Sequence, residues 1–225
     1  MSDLADVAAL LADRTRARIL EELLGGRPLP AGALAARVGV APSTVSGHLA
    51  KLESAGLIVV RSVGRRREAS LARPEVAEAL EALSRLAGES RPIGLRAVNH
   101  QAAMREARSC YDHLAGRAGV ALADSLVARG ALSVRDGAFA VEDPRFFAAQ
   151  FGIDVDALPR RRPLVRACLD WTERRPHVAG SLGAALLDVF LQRGWAARRP
   201  DGRALNLSTA GRDFLFSANR ARRAA

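Results

Sequence analysis

The sequence has few cysteines and no long uncharged apolar segment. Its 2 cysteines, Cys110 and Cys168, are too few for a disulfide framework and suit a reducing compartment. Charged residues interrupt every apolar run well before the ~18 residues that a membrane span needs. The N-terminal segment carries Asp3 and Asp6 where a secretory signal would carry basic residues. We therefore expect a cytoplasmic protein without a membrane partner.

Basic residues outnumber acidic ones. The chain has 34 Lys and Arg against 24 Asp and Glu, a formal net charge of +10, and arginine dominates the basic set. The planar guanidinium group of arginine binds phosphate well, so the charge favours a polyanionic partner. With 49% apolar residues in 225 positions, the chain can bury the cores of two modest domains.

The first ninety residues have the pattern of a winged helix-turn-helix. Apolar residues at helical spacing predict one amphipathic helix from Leu4 to Leu24. A short helix over residues 31–40 is broken at Gly39, and a second helix starts at Pro42. Residues 57–72 then alternate apolar and polar side chains around Gly64, which predicts a hairpin. Short helix, tight turn and polar-faced helix together indicate a helix-turn-helix.

The second helix and the hairpin carry the candidate DNA contacts. One face of the helix is apolar, and the other side shows Ser43, Thr44, Ser46, His48 and Lys51. Small and basic side chains allow close approach to a major groove. The hairpin tip carries Arg65, Arg66 and Arg67, a cationic wing. The helix that follows has an apolar stripe of Val76, Leu80, Leu83 and Leu86, which with the first helix could form a dimer interface.

Two segments carry a family resemblance, LADRTRARIL at 11–20 and LAARVGVAPSTVSGHLAKLESAGLIVVRSVGRRREASL at 34–71. Over about residues 4–88, the chain resembles the ArsR-type (arsenic-repressor-type) winged-helix regulators. The resemblance implies a homodimer on double-stranded DNA, with recognition helices in successive major grooves. It places the polar side chains named above on the recognition helix and the three arginines in the wing. Arsenic-sensing members carry paired cysteines before the turn, and ALAARVGV has none. The helix at 74–87 also lacks the ligand set of the zinc-sensing members, so neither kind of sensing is implied at those sites.

The second half contains an internal repeat. HLAGRAGVALADSLVARG at 113–130 aligns without gaps to HVAGSLGAALLDVFLQRG at 177–194. Each copy continues into a strand, turn, strand and helix pattern, over about 108–152 and 166–217. We therefore predict a mainly α protein with small β-hairpins. Its domains would be a winged helix-turn-helix over 1–90 and a duplicated, winged-helix-like effector domain over 91–225.

The cysteines and two histidines occupy equivalent positions of the repeat, as Cys110 and His113 in one copy and Cys168 and His177 in the other. On a helix, Cys110 and His113 would share one face. If the copies pack together, thiolate and imidazole ligands could converge as a Cys2His2 site for Zn, Cu or Ni, with Asp112 or Asp170 orienting a ligand. The alternatives are a thiol sensor, duplicated packing residues, and a pocket for a small-molecule effector nearby.

Three functions remain open at this point. The first is a dimeric repressor whose DNA affinity responds to an effector in the C-terminal domain. The second is an enzyme with an attached DNA-binding domain, although no nucleophile elbow, phosphate loop or zinc-protease motif occurs in the sequence. The third is a DNA-binding protein that responds to no signal. The paired cysteines and histidines favour the first, so we predict a transcription regulator that is not an enzyme.

Overall fold

The computed structural model describes residues 3–64, 66–87, 92, 94–200 and 202–223. The chain divides into two compact units, residues 1–88 and 89–225. None of the described helices combines the length and the apolar content that crossing a bilayer requires.

The first unit is a helical bundle with a small three-stranded sheet. In chain order its elements are α1 (Leu4–Leu11), α2 (Arg14–Leu23), β1 (Leu29–Pro30), α3 (Ala31–Val38), α4 (Pro42–Ser54), β2 (Ile58–Val63), β3 (Arg66–Leu71) and α5 (Pro74–Ala87). The strands pair in the antiparallel order β1-β3-β2. Gly39 ends α3 at φ 76°, a left-handed conformation that glycine adopts without strain, and it makes the turn into α4. The predicted winged helix-turn-helix is confirmed.

The opening helix is two helices, so the prediction of one continuous helix is wrong. Asp13 caps the start of α2, and its Oδ1 accepts a hydrogen bond of 2.9 Å from the Arg16 amide. The Arg16 Nε atom donates back to the Leu10 carbonyl at 2.7 Å, which supports the break. An aspartate that bonds the backbone ahead of it favours a new helix start over helix continuation. The apolar spacing of the segment does not reveal this competition.

The second unit repeats one order of elements twice after an opening helix, α6 (Leu95–Glu106). The first set is β4 (Arg108–Cys110), β5 (His113–Ala115), α7 (Arg117–Ala128), β6 (Leu132–Arg135), β7 (Ala138–Val141) and α8 (Pro144–Phe151). The second set is β8 (Arg166–Leu169), β9 (Pro176–Ala179), α9 (Gly180–Gln192), β10 (Ala196–Arg198), β11 (Leu205–Leu207) and α10 (Thr209–Arg223). Each set is hairpin, helix, hairpin, helix. The duplication itself stays a prediction.

The two sets share one hydrophobic core. Phe147 and Phe190 are fully buried, one from each set. The rings of Phe151 and Phe214 meet edge to face with centroids 5.7 Å apart, again joining the first set to the second. Residues of both sets therefore exclude water from a common interior, and neither set has a complete core without the other.

Candidate DNA-binding surface and metal centre

Helix α4 is anchored by one face and exposes the other. Val45, Leu49 and Leu52 are buried in the first unit. The predicted contact residues Ser43, Thr44, Ser46 and Lys51 are exposed. Burial of the apolar stripe fixes the rotation of the helix, so these polar side chains face solvent.

Two of the predicted contact residues have partners within the chain. The Ser46 hydroxyl donates to the Pro42 carbonyl at 3.0 Å, one helical turn earlier. His48 is half-buried, and its Nδ1 lies 4.0 Å from Asp13 Oδ1 at the start of α2. The Ser46 hydroxyl keeps its lone pairs as acceptors, and His48 keeps its Nε2 atom for a further contact.

The hairpin of β2 and β3 presents the wing. Arg66 pairs with Val63 and Arg67 with Ser62, and both arginines are exposed. Because successive side chains of a strand point to opposite faces, Arg66 and Arg67 project from different sides of the hairpin. The third predicted wing residue, Arg65, lies outside the described residues.

In the second unit, the structure brings the two cysteines and two histidines of the repeat together. They lie on β-hairpins, Cys110 opposite His113 and Cys168 opposite His177, so the predicted helical placement of the first pair is wrong. Tyr111, at φ 59°, turns the chain between β4 and β5, a conformation that a helix does not accommodate. Pairing across a short hairpin brings thiol and imidazole side by side, as a helical turn would.

Close packing of each helix on the opposite hairpin brings the pairs into contact. A Cβ atom added to Gly119 of α7 would lie 3.3 Å from the Cβ of His177, and one added to Gly183 of α9 would lie 3.1 Å from the Cβ of His113. The same added atoms would lie 2.4 Å and 2.5 Å from backbone oxygens. Only glycine permits this approach, which explains the glycine at the same place in both copies.

The four side chains have the spacing of a tetrahedral metal site. Their ligand atoms all lie within 4.8 Å of one another, with the two sulfurs 3.9 Å apart and the two Nε2 atoms 3.1 Å apart. Bonds of about 2.3 Å to sulfur and about 2.0 Å to nitrogen in a tetrahedron separate two sulfurs by roughly 3.8 Å and two nitrogens by roughly 3.3 Å. Both histidines and Cys110 are buried, and Cys168 is half-buried. The cluster is therefore compact enough to enclose one ion.

A carboxylate faces the other nitrogen of each imidazole. Asp112 Oδ1 lies 3.3 Å from His113 Nδ1, and Asp170 Oδ2 lies 3.3 Å from His177 Nδ1. The second contact is not aligned as a hydrogen bond and is electrostatic. A carboxylate beside Nδ1 favours the proton on that atom and leaves Nε2 free to act as a ligand. The sequence predicted these two aspartates near the cluster.

Two arginines that the sequence did not reveal hold these carboxylates. Arg108 Nη2 donates to Asp170 Oδ1 at 2.9 Å, and both side chains are fully buried. Arg162 Nη1 donates to Asp112 Oδ2 at 2.5 Å on the partly exposed side of the site. Arg108 aligns with Arg166 in the repeat, which is a signal for a shared position. Nothing in the sequence distinguishes Arg162 from Arg160 and Arg161 beside it.

Without metal, the cluster favours a thiolate beside an imidazolium. The hydrogen bond from Cys110, together with those from His113 and His177, outweighs burial and holds the pKa of Cys168 well below the ordinary thiol value. Burial opposes the charge on His177, but Asp170 and Cys168 beside it raise its pKa above the ordinary histidine value. The negative thiolate and the positive imidazolium stabilise each other in a site with little solvent. The thiolate is the form of cysteine that binds metal.

The fold and the exposed polar helix define a DNA-binding transcription regulator. A family model for a helix-turn-helix domain matches residues 11–61. The uncharacterized HTH-type transcriptional regulator YdfF of Bacillus subtilis (strain 168) is 39% identical over 212 residues, which is 93% of this chain and 94% of YdfF. The chain therefore belongs to the HTH-type transcriptional regulators, and the ArsR-type prediction is confirmed.

A second relative matches a shorter part of the chain. The HTH-type transcriptional regulator CmtR of Mycobacterium tuberculosis (strain ATCC 25618 / H37Rv) is 46% identical over 79 residues, 35% of this chain and 66% of CmtR. The solved structure of CmtR, described as a cadmium metal-sensor, has a TM-score of 0.33 and 38% identity over 41% of this chain and 98% of that one. The sequence relatives YdfF and CmtR are both named as transcriptional regulators, which supports the regulator interpretation over an attached enzyme.

Proposed function

We propose that this protein is a dimeric, metal-responsive transcription regulator. Its first unit binds an inverted-repeat operator through α4 and the wing, and its second unit binds a divalent metal ion that changes operator affinity. The observation that carries the metal proposal is the convergence of two Nε2 atoms and two sulfurs from separate hairpins. The cytoplasmic location and the two predicted domain boundaries belong to the same proposal.

The DNA contacts follow from exposure and charge. We assign phosphate contacts to Lys51 and to the wing arginines 65–67, because their charges do not depend on base sequence. We assign approach to base edges to Ser43, Thr44 and His48. Ser46 is the weakest candidate, since its hydroxyl already donates to the helix backbone. An α4 helix in each of two major grooves requires half-sites about 10 bp apart.

Exposed apolar residues on two helices support the dimer. Helix α1 buries no residue against its own unit, and Leu4 is 85% exposed. On α5, Val76 is buried within the unit, whereas Leu83 and Leu86 are 45% and 84% exposed. The apolar stripe predicted on this helix therefore divides between the core and a solvent-facing part. A second copy of the chain would remove these leucines from water.

Facing nitrogens give the physical reason for a cation in the cluster. Metal binds neutral imidazole, and in that form a proton on Nδ1, beside the carboxylate, leaves a lone pair on each Nε2. Two lone pairs 3.1 Å apart repel unless a proton or a metal ion lies between them. A metal ion can bind both Nε2 atoms and both sulfurs, whereas one proton can bridge only the two Nε2 atoms.

Charge balance and geometry favour Zn²⁺ over the other candidate metals. Two thiolates neutralise a divalent ion, so the ion and its four ligands together carry no net charge. Arg108 and Arg162 neutralise the two carboxylates in the same way. The near-tetrahedral spacing suits Zn²⁺, whereas Cu²⁺ and Ni²⁺ prefer square-planar or tetragonal sites. Of the three metals that the sequence suggests, Zn²⁺ fits best.

The test combines metal analysis with DNA binding. The full chain is purified without a histidine tag, its metal content is measured, and binding to an operator selected from random duplexes is followed with chelator and after Zn²⁺ addition. We expect one Zn²⁺ per chain and a change in operator affinity of roughly 5- to 150-fold. His113→Gln should abolish both, whereas His100→Gln, on an exposed histidine outside the cluster, should abolish neither. Equal metal content in the two variants would contradict the proposal.

The close sulfurs favour a second candidate, a thiol switch. The 3.9 Å between the sulfurs of Cys110 and Cys168 would have to close to about 2.0 Å in a disulfide. In that case oxidant would release the metal-free protein from DNA, and Cys110→Ser would abolish the release while leaving binding under reducing conditions intact. Metal-dependent binding that persists in excess reductant would favour the metal function.

A further inference from the structure

The two carboxylates that face the imidazoles have different surroundings. We propose that Asp170 is the positioning residue of a closed half of the metal site, whereas Asp112 and Arg162 control the access of metal from solvent. The inference rests on the proposed metal binding and assigns different roles to residues that occupy similar places in the two halves.

The half built on Asp170 is closed, and its carboxylate is held by several hydrogen bonds. Asp170 Oδ1 accepts hydrogen bonds from Arg108, from the Thr172 amide and hydroxyl, and from the Glu173 amide, at 2.7–3.1 Å. Its Oδ2 accepts from the Gly116 amide at 2.7 Å. Arg108 is held in turn by the Met104 carbonyl at 3.0 Å. A carboxylate with this many fixed donors keeps its position, so it presents a fixed negative charge 3.3 Å from His177 Nδ1.

The half built on Asp112 reaches solvent. The side chains of Asp112 and Arg162 are 28% and 26% exposed. By contrast, His113 is 4% and His177 1% exposed. Among the described residues, no other donor to Asp112 lies within hydrogen-bond distance besides Arg162 and the neighbouring His113. This ion pair is therefore the part of the site that can open without breaking a buried network.

Arg162 opposes metal access in two ways. Its guanidinium group lies on the carboxylate that borders His113, so an incoming ion meets an occupied position. Its positive charge also repels a cation that approaches through the same side. When Arg162 leaves, Asp112 is free to attract the ion and to hold it before the buried ligands take over. Removal of the guanidinium group should therefore speed exchange in both directions.

The experiment separates rates from affinity. Cd²⁺ serves as the probe, because thiolate binding gives a charge-transfer absorption that stopped-flow mixing can follow. Dissociation is measured by mixing the loaded full chain with excess chelator. Arg162→Ala should raise the association rate about tenfold and also raise the dissociation rate, so that the dissociation constant changes less than either rate. Arg161→Ala removes the same charge at an exposed neighbour and should leave both rates near those of the unmodified chain.

Substitutions in the closed half should change the affinity for metal more than the rate of exchange. Asp170→Asn should weaken metal binding by about 10- to 100-fold, whereas Asp112→Asn should weaken it less and accelerate exchange. Circular dichroism checks that Asp170→Asn folds. If it does not fold, the comparison of Arg162→Ala with Arg161→Ala tests the inference instead. Equal effects of Arg162→Ala and Arg161→Ala, or a larger affinity loss for Asp112→Asn than for a folded Asp170→Asn, would overturn this inference alone. No charge-transfer band in the unmodified chain would overturn the proposed function as well.

Discussion

Replacement of Arg108 by methionine should destabilise the second unit strongly. Methionine has a similar length but no charge, so the substitution leaves the buried Asp170 carboxylate without its arginine partner. Breaking a buried pair costs about 3–5 kcal/mol. Asp170 keeps its bonds to Thr172, Glu173 and Gly116, which places the expected loss near the lower end, about 3 kcal/mol.

The assay is urea unfolding followed by tryptophan fluorescence. Both tryptophans of the chain, Trp171 and Trp195, lie in the second unit, so the signal reports that unit alone. With a denaturant dependence of about 2 kcal/mol per molar urea, the midpoint should fall by roughly 1.5 M. The matched control is Arg175→Met, which breaks the partly exposed pair with Asp124 and should cost less than about 1 kcal/mol. Equal midpoints for the two variants would refute the reasoning.

Four other outcomes are expected. Lys51→Ala and Arg66→Ala should each weaken binding to operator and scrambled duplexes alike and lower the salt slope by about one, as titration at several salt concentrations can show. His48→Ala should change base preference by about 1–3 kcal/mol in gel shifts, and equal loss on both duplexes would remove its base-reading role. Gly183→Ala should lower the stability of the second unit by at least about 1–3 kcal/mol, because the new Cβ overlaps a backbone oxygen, and an unchanged urea midpoint would contradict this. Because the pKa of His177 is raised, Zn²⁺ must displace its proton, so binding should release protons into weak buffer and weaken as the pH falls.

The sequence predicted the first unit well because local signals set its elements. Gly39 ends α3, Pro42 starts α4, and the alternation around Gly64 gives the hairpin. It failed at Asp13, where a capping side chain interrupts a continuous apolar spacing. Spacing reports which side of a helix is apolar, but it does not report a competing hydrogen bond that starts a new helix.

In the second unit, the repeat predicted which residues pair but not how they meet. Equivalent positions identified Cys110, His113, Cys168 and His177, and the structure brings them together. The hairpins that carry them are three or four residues a strand, too short for a period-two signal. The contacts of Arg108 and Arg162 span 62 and 50 positions in the chain, so no local pattern could reveal them.

X-ray absorption at the zinc edge, on full-length chain loaded with one Zn²⁺ equivalent, tests the central claim most directly. The account predicts two sulfur ligands near ~2.3 Å and two nitrogen ligands near ~2.0 Å, with one sulfur lost in Cys110→Ser. A shell of nitrogen and oxygen only, or a spectrum that Cys110→Ser leaves unchanged, would contradict it.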